Sequence, residues 1–372
     1  MQGGESPSIP GVMELGVFVD EHRDKPPYGE QNTYLERLAV AAREMRINLY
    51  AFSIPQPDVD RGRLRVRWPE RAWSASYVRL PKVVYDRAIF TKRSEKLAAK
   101  SLLQRLRSLG VKVFNPAIGS KLAVYKYLAS VPGVRHLLPL TEKVTNLGTV
   151  HRFLRKWGDV FVKPSVGTQG TGVLRIQKHR GRFTVSGFTN NSDLIVCTDL
   201  DWNGLGSLLK STMGSRTYLV QKTVQPLKWL GSSADVRALV QKDGQGEWSV
   251  TGLAARVAHD SSSVCNLHRG GRTLALAELC HGVKATTEID PDLVEHKLCE
   301  ASMAVARALE KRCPLLGELG LDFIVSVDGS IWLIEANPRP GRNVFRNLGM
   351  RDAIEKSVAR PLEYARYLES IH

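Results

Sequence analysis

Residues 317–341, GELGLDFIVSVDGSIWLIEANPRPG, decide the reading of this chain. Two apolar runs, LDFIVSV and SIWLIEA, flank Asp328-Gly329, a dipeptide that favours a two-residue β-hairpin because both residues tolerate positive φ. With Val327 opposite Ser330, five steps outward along both strands set Asp322 opposite Glu335. Asn337, two residues further, points to the same side. Like charges directly opposite on a sheet repel, so an Asp and a Glu there, amid Leu321, Phe323, Ile334 and Ala336, predict a cation between them. Three hard oxygen donors without His or Cys favour Mg²⁺ over a transition metal, and Mg²⁺ implies a phosphate. On this logic Asp322→Ala relieves repulsion and leaves the fold intact. The competing reading is a surface hairpin with an acidic polar face.

The 372-residue chain is 43% apolar and 24% charged, ordinary values for a folded protein with a real core. No apolar run approaches the roughly 18 residues of a membrane span, and MQGGESPSIPGV lacks the features of a signal peptide. A cytoplasmic protein with no membrane partner is therefore expected. The five cysteines, at 197, 265, 280, 299 and 313, never form CxxC, which argues against a disulfide framework and a zinc site. Lys and Arg total 53 against 37 acids, a formal +16. Such basicity suggests an acidic partner, either an anionic small molecule or peptide or an acidic macromolecule. RGRLRVRWPER at 61–71 alternates like a strand with its charges on one side and carries no nucleic-acid motif, so a nucleic-acid partner is not expected.

The segments at 14–19 and 48–54 read as buried strands with a helix near 33–46 between them, a βαβ opening. A strand at 83–87, a helix at 94–109 and a strand at 111–117 complete an N-terminal α/β domain over 1–117. It has no GxGxxG, so no dinucleotide site is expected there. His22-Arg23-Asp24 mimics a kinase catalytic loop without the accompanying motifs and is read as coincidence. Residues 118–372 form the second domain, divided into a first lobe at 118–215 and a second at 216–372. In it Ser120 caps a helix, a second helix covers 146–157, Asp290-Pro291 opens a long helix to about 312, and a last helix runs over 351–369.

DVFVKPSVGTQGTGVLRI at 159–176 places Lys163 on a strand that enters a loop with Gly167, Gly170 and Gly172. Glycines let backbone N–H groups approach phosphate oxygens, and the lysine adds charge. This is not a Walker A loop, because it runs from strand to strand. Further on, 234–241 and 248–258 read as an antiparallel pair that puts Asp235, Arg237 and Arg256 on one face, where the arginines suit bidentate contacts to phosphate or carboxylate. CNLHRGG at 265–271 is a basic, glycine-ended loop, with His268 read as structural.

The Lys163 strand with its GTQGTGV loop, the DVR strand, the NLHRGG loop and the Asp322…Glu335-Ala336-Asn337 hairpin, in that order, resemble the ATP-grasp superfamily over roughly 115–345. Within it the GTQGTGV and NLHRGG loops resemble glutamate-adding peptide ligases, and the overall layout resembles the spore-coat-associated YheC/YheD-like proteins. The resemblance implies an α/β N-terminal domain followed by an α+β ATP-grasp fold whose two lobes clasp ATP. It implies that Lys163 contacts phosphates, that Lys121 is a further nucleotide-binding lysine, that Gly167, Thr168, Gln169, Gly170, Thr171 and Gly172 fold over the phosphates, and that Gln221, Lys222 and Val224 form the adenine and ribose edge. Asp322, Glu335 and Asn337 would hold Mg²⁺, while Arg237, Arg256, Asn266 and Arg269 would face the transferred phosphate and the acyl substrate. Relatives carry Glu-Lys or Gln-Glu at Gln221-Lys222, and some ligases an arginine at Gly320; another arginine, Arg256 or Arg339, must then serve the reaction centre.

The function so implied is ATP- and Mg²⁺-dependent carboxylate–amine ligation through an acylphosphate on an amino acid or peptide. Two alternatives stay open: a phosphotransferase using the same site, and a coat-associated protein with a vestigial ATP site.

Overall fold

The computed structural model describes residues 11–22, 27–167, 170–258, 271–282 and 289–371. Three six-stranded sheets organise them. The first opens as the alternation of strand and helix requires: Met13–Phe18 and Ile47–Phe52 are parallel, joined by the helix Asn32–Glu44, and Val83–Asp86 and Lys112–Phe114 extend the parallel run. Arg63–Trp68 and Ser74–Arg79 close its far edge as an antiparallel pair, with Leu64, Val66 and Trp68 inward.

The second sheet is antiparallel and carries the lysine strand Asp159–Pro164 between Leu174–His179 and Tyr218–Lys222. The third contains Ser232–Lys242 paired with Trp248–Val257 on one side and with Glu318–Val325 on the other, and Ile331–Asn337 beyond that. Leu319, Leu321, Phe323 and Val325 alternate onto the face covered by the helix Pro291–Arg312, whose Leu298, Val305 and Leu309 are fully buried. Asp290 caps that helix by accepting from the Asp292 N–H, with Pro291 in the first turn where no backbone donor is missed. The last helix, Arg351–Ser370, packs Leu362, Tyr364, Ala365 and Leu368 into the core of the first sheet, and so fixes the N-terminal region against the third. Among the described residues no helix is long and apolar enough to cross a membrane.

The hairpin corrects the sequence reading in a way that matters for the site. Its loop holds three residues, Val327, Asp328 and Gly329, because Ser326 N–H donates to Ser330 O at 2.9 Å and Gly329 N–H to Ser326 O at 2.8 Å. Gly329 takes φ +73°, the left-handed position such a loop requires. Two-residue counting would therefore misplace every pair beyond the turn, and Phe323 indeed faces Leu333. A β-bulge then inserts Ile334, and Asp322 faces Glu335 after all. Without the bulge, Glu335 would lie opposite Leu321 on the core side, since a one-residue slip exchanges the faces of a strand.

Candidate active site

The cleft faces of the second and third sheets, together with the N-terminal region, enclose a cavity of about 860 Å³, at the upper end of ordinary ligand sites. Lys121, Lys163 and Gly170 line it, as do Gln221, Lys222 and Val224. Arg237, Arg256, Asp322, Glu335 and Asn337 line it from the third sheet. Gly167, Thr171 and Gly172 stand off this wall. Gly172 (φ +72°) is packed where a Cβ would lie 2.5 Å from Asn190 Oδ1 and 2.8 Å from Tyr218 Oη, so its glycine serves packing. Thr168, Gln169, Asn266 and Arg269, with the rest of the NLHRG stretch, lie outside the described residues.

On the third sheet the strand pairing sets Arg237 opposite Asp322 and Asp235 opposite Arg256. Asp322 accepts from Arg237 at 2.5 and 3.1 Å and pairs with Arg256 at 3.0 Å. Arg256 in turn holds Asp235 at 2.6 and 2.8 Å. Burial pushes the Asp322 carboxyl up, but the two guanidiniums outweigh it and hold it at about 2. Asp235 goes the other way, raised by burial beyond what Arg256 recovers, with Asp322 adding repulsion. Sharing two arginines rather than one makes Asp322 the stronger acid of the pair.

These contacts alter the argument from repulsion. Asp322 and Glu335 do face each other, yet the protein supplies their cations: Arg237 and Arg256 on one, Lys121 Nζ at 3.0 Å from Oε2 on the other. Removing Asp322 therefore strips two arginines of a partner, and the expectation that its loss is free of cost does not hold. Asn337 Oδ1 accepts from the Arg339 N–H at 2.9 Å. Among the described residues no three His, Cys, Asp or Glu side chains cluster as a metal site; the hairpin offers two carboxylates and an amide. That all-oxygen set fits Mg²⁺, and each carboxylate keeps lone pairs beyond those its cations use.

Lys163 is 7% exposed and donates to Gln221 Oε1 at 2.9 Å. Burial, with Lys121 adding repulsion, lowers it to about 8 against the pull of Glu335. Gln221 is held by a second bond, from its Nε2 to Thr141 Oγ1 at 2.8 Å, so its amide orients the lysine. Lys222 Nζ sits 4.3 Å from the centre of the Trp157 ring. At Gly320 a Cβ would lie 2.8 Å from Pro340 Cβ and 3.4 Å from Arg237 Nη1. The space an arginine there would need is taken by Arg237 from the neighbouring strand. Arg339 reaches the N-terminal region, pairing with Asp86 at 2.5 Å.

Sequence reading missed Arg175, whose guanidinium grips Asp159 at 2.6 Å on the cleft wall, and Phe161 beside it. The signal for Arg175 was present: a charge between Leu174 and Ile176, both fully buried. It missed the N-terminal wall, Gln31, Tyr34, Arg37 and Arg87, because no local pattern says which part of a separate sheet will close a cleft.

A lysine strand and an acidic hairpin strand facing each other across such a cleft define the ATP-grasp class of fold. Solved structures agree. D-cycloserine synthetase DcsG superposes with a TM-score of 0.57 at 15% identity, covering 95% of this chain and 99% of that one. The VanG D-Ala:D-Ser ligase from Enterococcus faecalis gives 0.57 at 14%, covering 96% and 99%. More specifically, the chain belongs to the YheC/D-like ATP-grasp family, whose model matches residues 110–368. The endospore coat-associated protein YheD of Bacillus subtilis (strain 168) is 26% identical over 364 residues, 96% of this chain and 78% of YheD.

Proposed function

We propose that the chain is an ATP- and Mg²⁺-dependent carboxylate–amine ligase, acting through an acylphosphate on an amino acid or peptide and releasing ADP and phosphate. The observation that carries this reading is the placement of Lys121, Lys163, Arg237 and Arg256 around the Asp322–Glu335 pair in one cleft. Support comes from the family, and from structural neighbours that include a synthetase and a ligase. The units doing this work would be 1–117 and 118–372, the latter with lobes at 118–215 and 216–372, in a cytoplasmic protein.

Asp322, Glu335 and Asn337 would hold Mg²⁺, which when bound offsets charge on the phosphates. Lys163 and Lys121 would bind the polyphosphate by charge-assisted contacts, with the Gly170 segment over it and Gln221, Lys222 and Val224 at the base. Arg237 and Arg256 are fixed by Asp322 and Asp235 before substrate arrives, so their donors need no reorganisation when charge develops on the transferring phosphoryl group. The carboxylate attacks the γ-phosphorus, ADP leaves, and the amine then displaces phosphate from the acyl carbon. No side-chain nucleophile is needed.

Incubation with ATP, Mg²⁺ and a panel of amino acids and peptides, followed by mass spectrometry, tests this. A product lighter by one water than its two reactants together, with ADP and phosphate, is expected. AMP with pyrophosphate would mean adenylation, a phosphorylated alcohol would mean a phosphotransferase, and no nucleotide binding would mean a vestigial site.

A further inference from the structure

The cleft does not end at the hairpin. Past Gly320 it continues along Arg339, Pro340 and Arg342 to a wall formed by the start of the helix Asn32–Glu44 and the short helix Asn343–Asn347. Eleven Arg and Lys side chains line the whole cavity against four carboxylates, counted among the described residues. Three of those four, Asp235, Asp322 and Glu335, already have cationic partners at the hairpin. Five of the eleven, Arg37, Arg87, Arg339, Arg342 and Arg346, lie at the far end, where Glu30 is the one lining carboxylate among the described residues.

There Arg37 and Arg346 are exposed and, among the described residues, have no acidic partner. Arg339 is 10% exposed, and its Nε is buried without a hydrogen-bond partner while its Nη2 holds Asp86. Arg87 and Arg342 share one carboxylate, Glu318, so that group keeps a net positive charge. Glu30 is the single carboxylate on this wall among the described residues. A buried guanidinium N–H left without an acceptor is costly, and Arg37 and Arg346, lining the same cavity without an acidic partner among the described residues, leave its positive charge unbalanced. An anion entering here would offset the unbalanced charge.

We propose that this chamber binds a second anionic group of the acyl substrate, so that the molecule activated here carries one carboxylate at Arg237 and another acid group, carboxylate or phosphate, at Arg37, Arg339 and Arg346. This rests on the ligase reading and deepens it, by making a dianion the substrate class. It places that group on the N-terminal wall of the cleft.

Calorimetric titration of the full chain with butyrate, glutarate and 4-phosphonobutyrate tests it, with and without Mg²⁺ and a non-hydrolysable ATP analogue. The far end of these probes carries hydrogen, carboxylate or phosphonate. Glutarate or the phosphonate should bind about tenfold or more tighter than butyrate, the gain from one charge-assisted contact, and whichever gains more identifies the second group. In R37Q and R346Q, exposed positions where folding is not at stake, that gain should fall below about threefold. Equal affinity for all three probes, or a gain intact in both variants, overturns the inference. Failure to bind the nucleotide analogue would count against the ATP reading instead, and is read separately in the same experiment.

Discussion

Glu318 and Asp322 stand on one strand, four residues apart and on the same face, and both are buried acids held by two arginines. They differ in whether the carboxylate is closed. Both Glu318 oxygens are filled twice: Oε1 by Tyr85 and Arg87, Oε2 by Gln241 and Arg342. The Tyr34 ring lies 4.7 and 4.0 Å from the two guanidiniums. Asp322 is 16% exposed and opens on the cleft, and one of its two arginines, Arg256, also serves Asp235. The first cluster ties three parts of the chain together, and its carboxylate oxygens are already taken. The second has the same chemistry with one side left for one.

The largest expected effect follows from closure. Glu318→Ala leaves Arg87 and Arg342 buried without a counter-charge and should cost about 3–5 kcal/mol, read as a drop in urea or thermal stability; a loss under about 1 kcal/mol would erase the distinction. Asp322→Asn should show the reverse balance. Turnover should fall about 10²–10³-fold, the range for losing one preorganised electrostatic group, while stability falls by only about 1–3 kcal/mol. Unchanged ATP turnover in this variant would remove Asp322 from the reaction centre.

Lys163 sharpens the comparison because it is buried with a neutral partner, Gln221, rather than a matching charge. Its folded value of about 8 lies below the ordinary 10.5, so between these limits the unfolded chain binds more protons and stability rises with pH. Relative to K163M, the wild-type chain should gain up to roughly 3 kcal/mol from about pH 8 to pH 10.5 and nothing below pH 8. A bound phosphate would favour the charged lysine. Nucleotide binding near pH 9 should therefore take up protons in wild type, visible as a dependence of calorimetric heat on buffer ionisation, and not in K163M. Equal uptake in both would place the phosphates away from Lys163.

Alternation made most of this legible. Leu319, Leu321, Phe323 and Val325 announce the core face, and the face that remains carries Glu318, Gly320 and Asp322. The pairing of Asp235, Arg237 and Arg256 followed from the same rule applied to two neighbouring strands. The three-residue loop and the Ile334 bulge were not legible, because each depends on hydrogen bonds that a run of apolar residues does not specify. Their two one-residue errors cancel, so the count reached Glu335 by a route the chain does not take. The Glu318 cluster was hidden for a different reason. Its partners at 34, 85, 87, 241 and 342 are separated by long stretches of sequence, and only the docking of the N-terminal sheet brings them together.

The cancellation itself can be tested, and the effect is the smallest expected. Gly329→Ala forces a Cβ onto a residue at φ +73°, with nothing within 4 Å to clash, so the cost is backbone strain alone, about 1 kcal/mol. The bulge lies between that turn and the Asp322–Glu335 pair and already accommodates an extra residue, so a small change of twist at the tip should end there. Nucleotide affinity in Gly329→Ala should then match wild type within about twofold despite the lost stability. Deleting Ile334 removes the bulge together with its extra residue, so Glu335 follows Leu333 directly and still faces Asp322, and Mg²⁺-dependent nucleotide binding should survive within about tenfold. If Gly329→Ala weakens nucleotide binding by more than about tenfold, the turn sets the geometry of the acidic pair and the bulge does not insulate it.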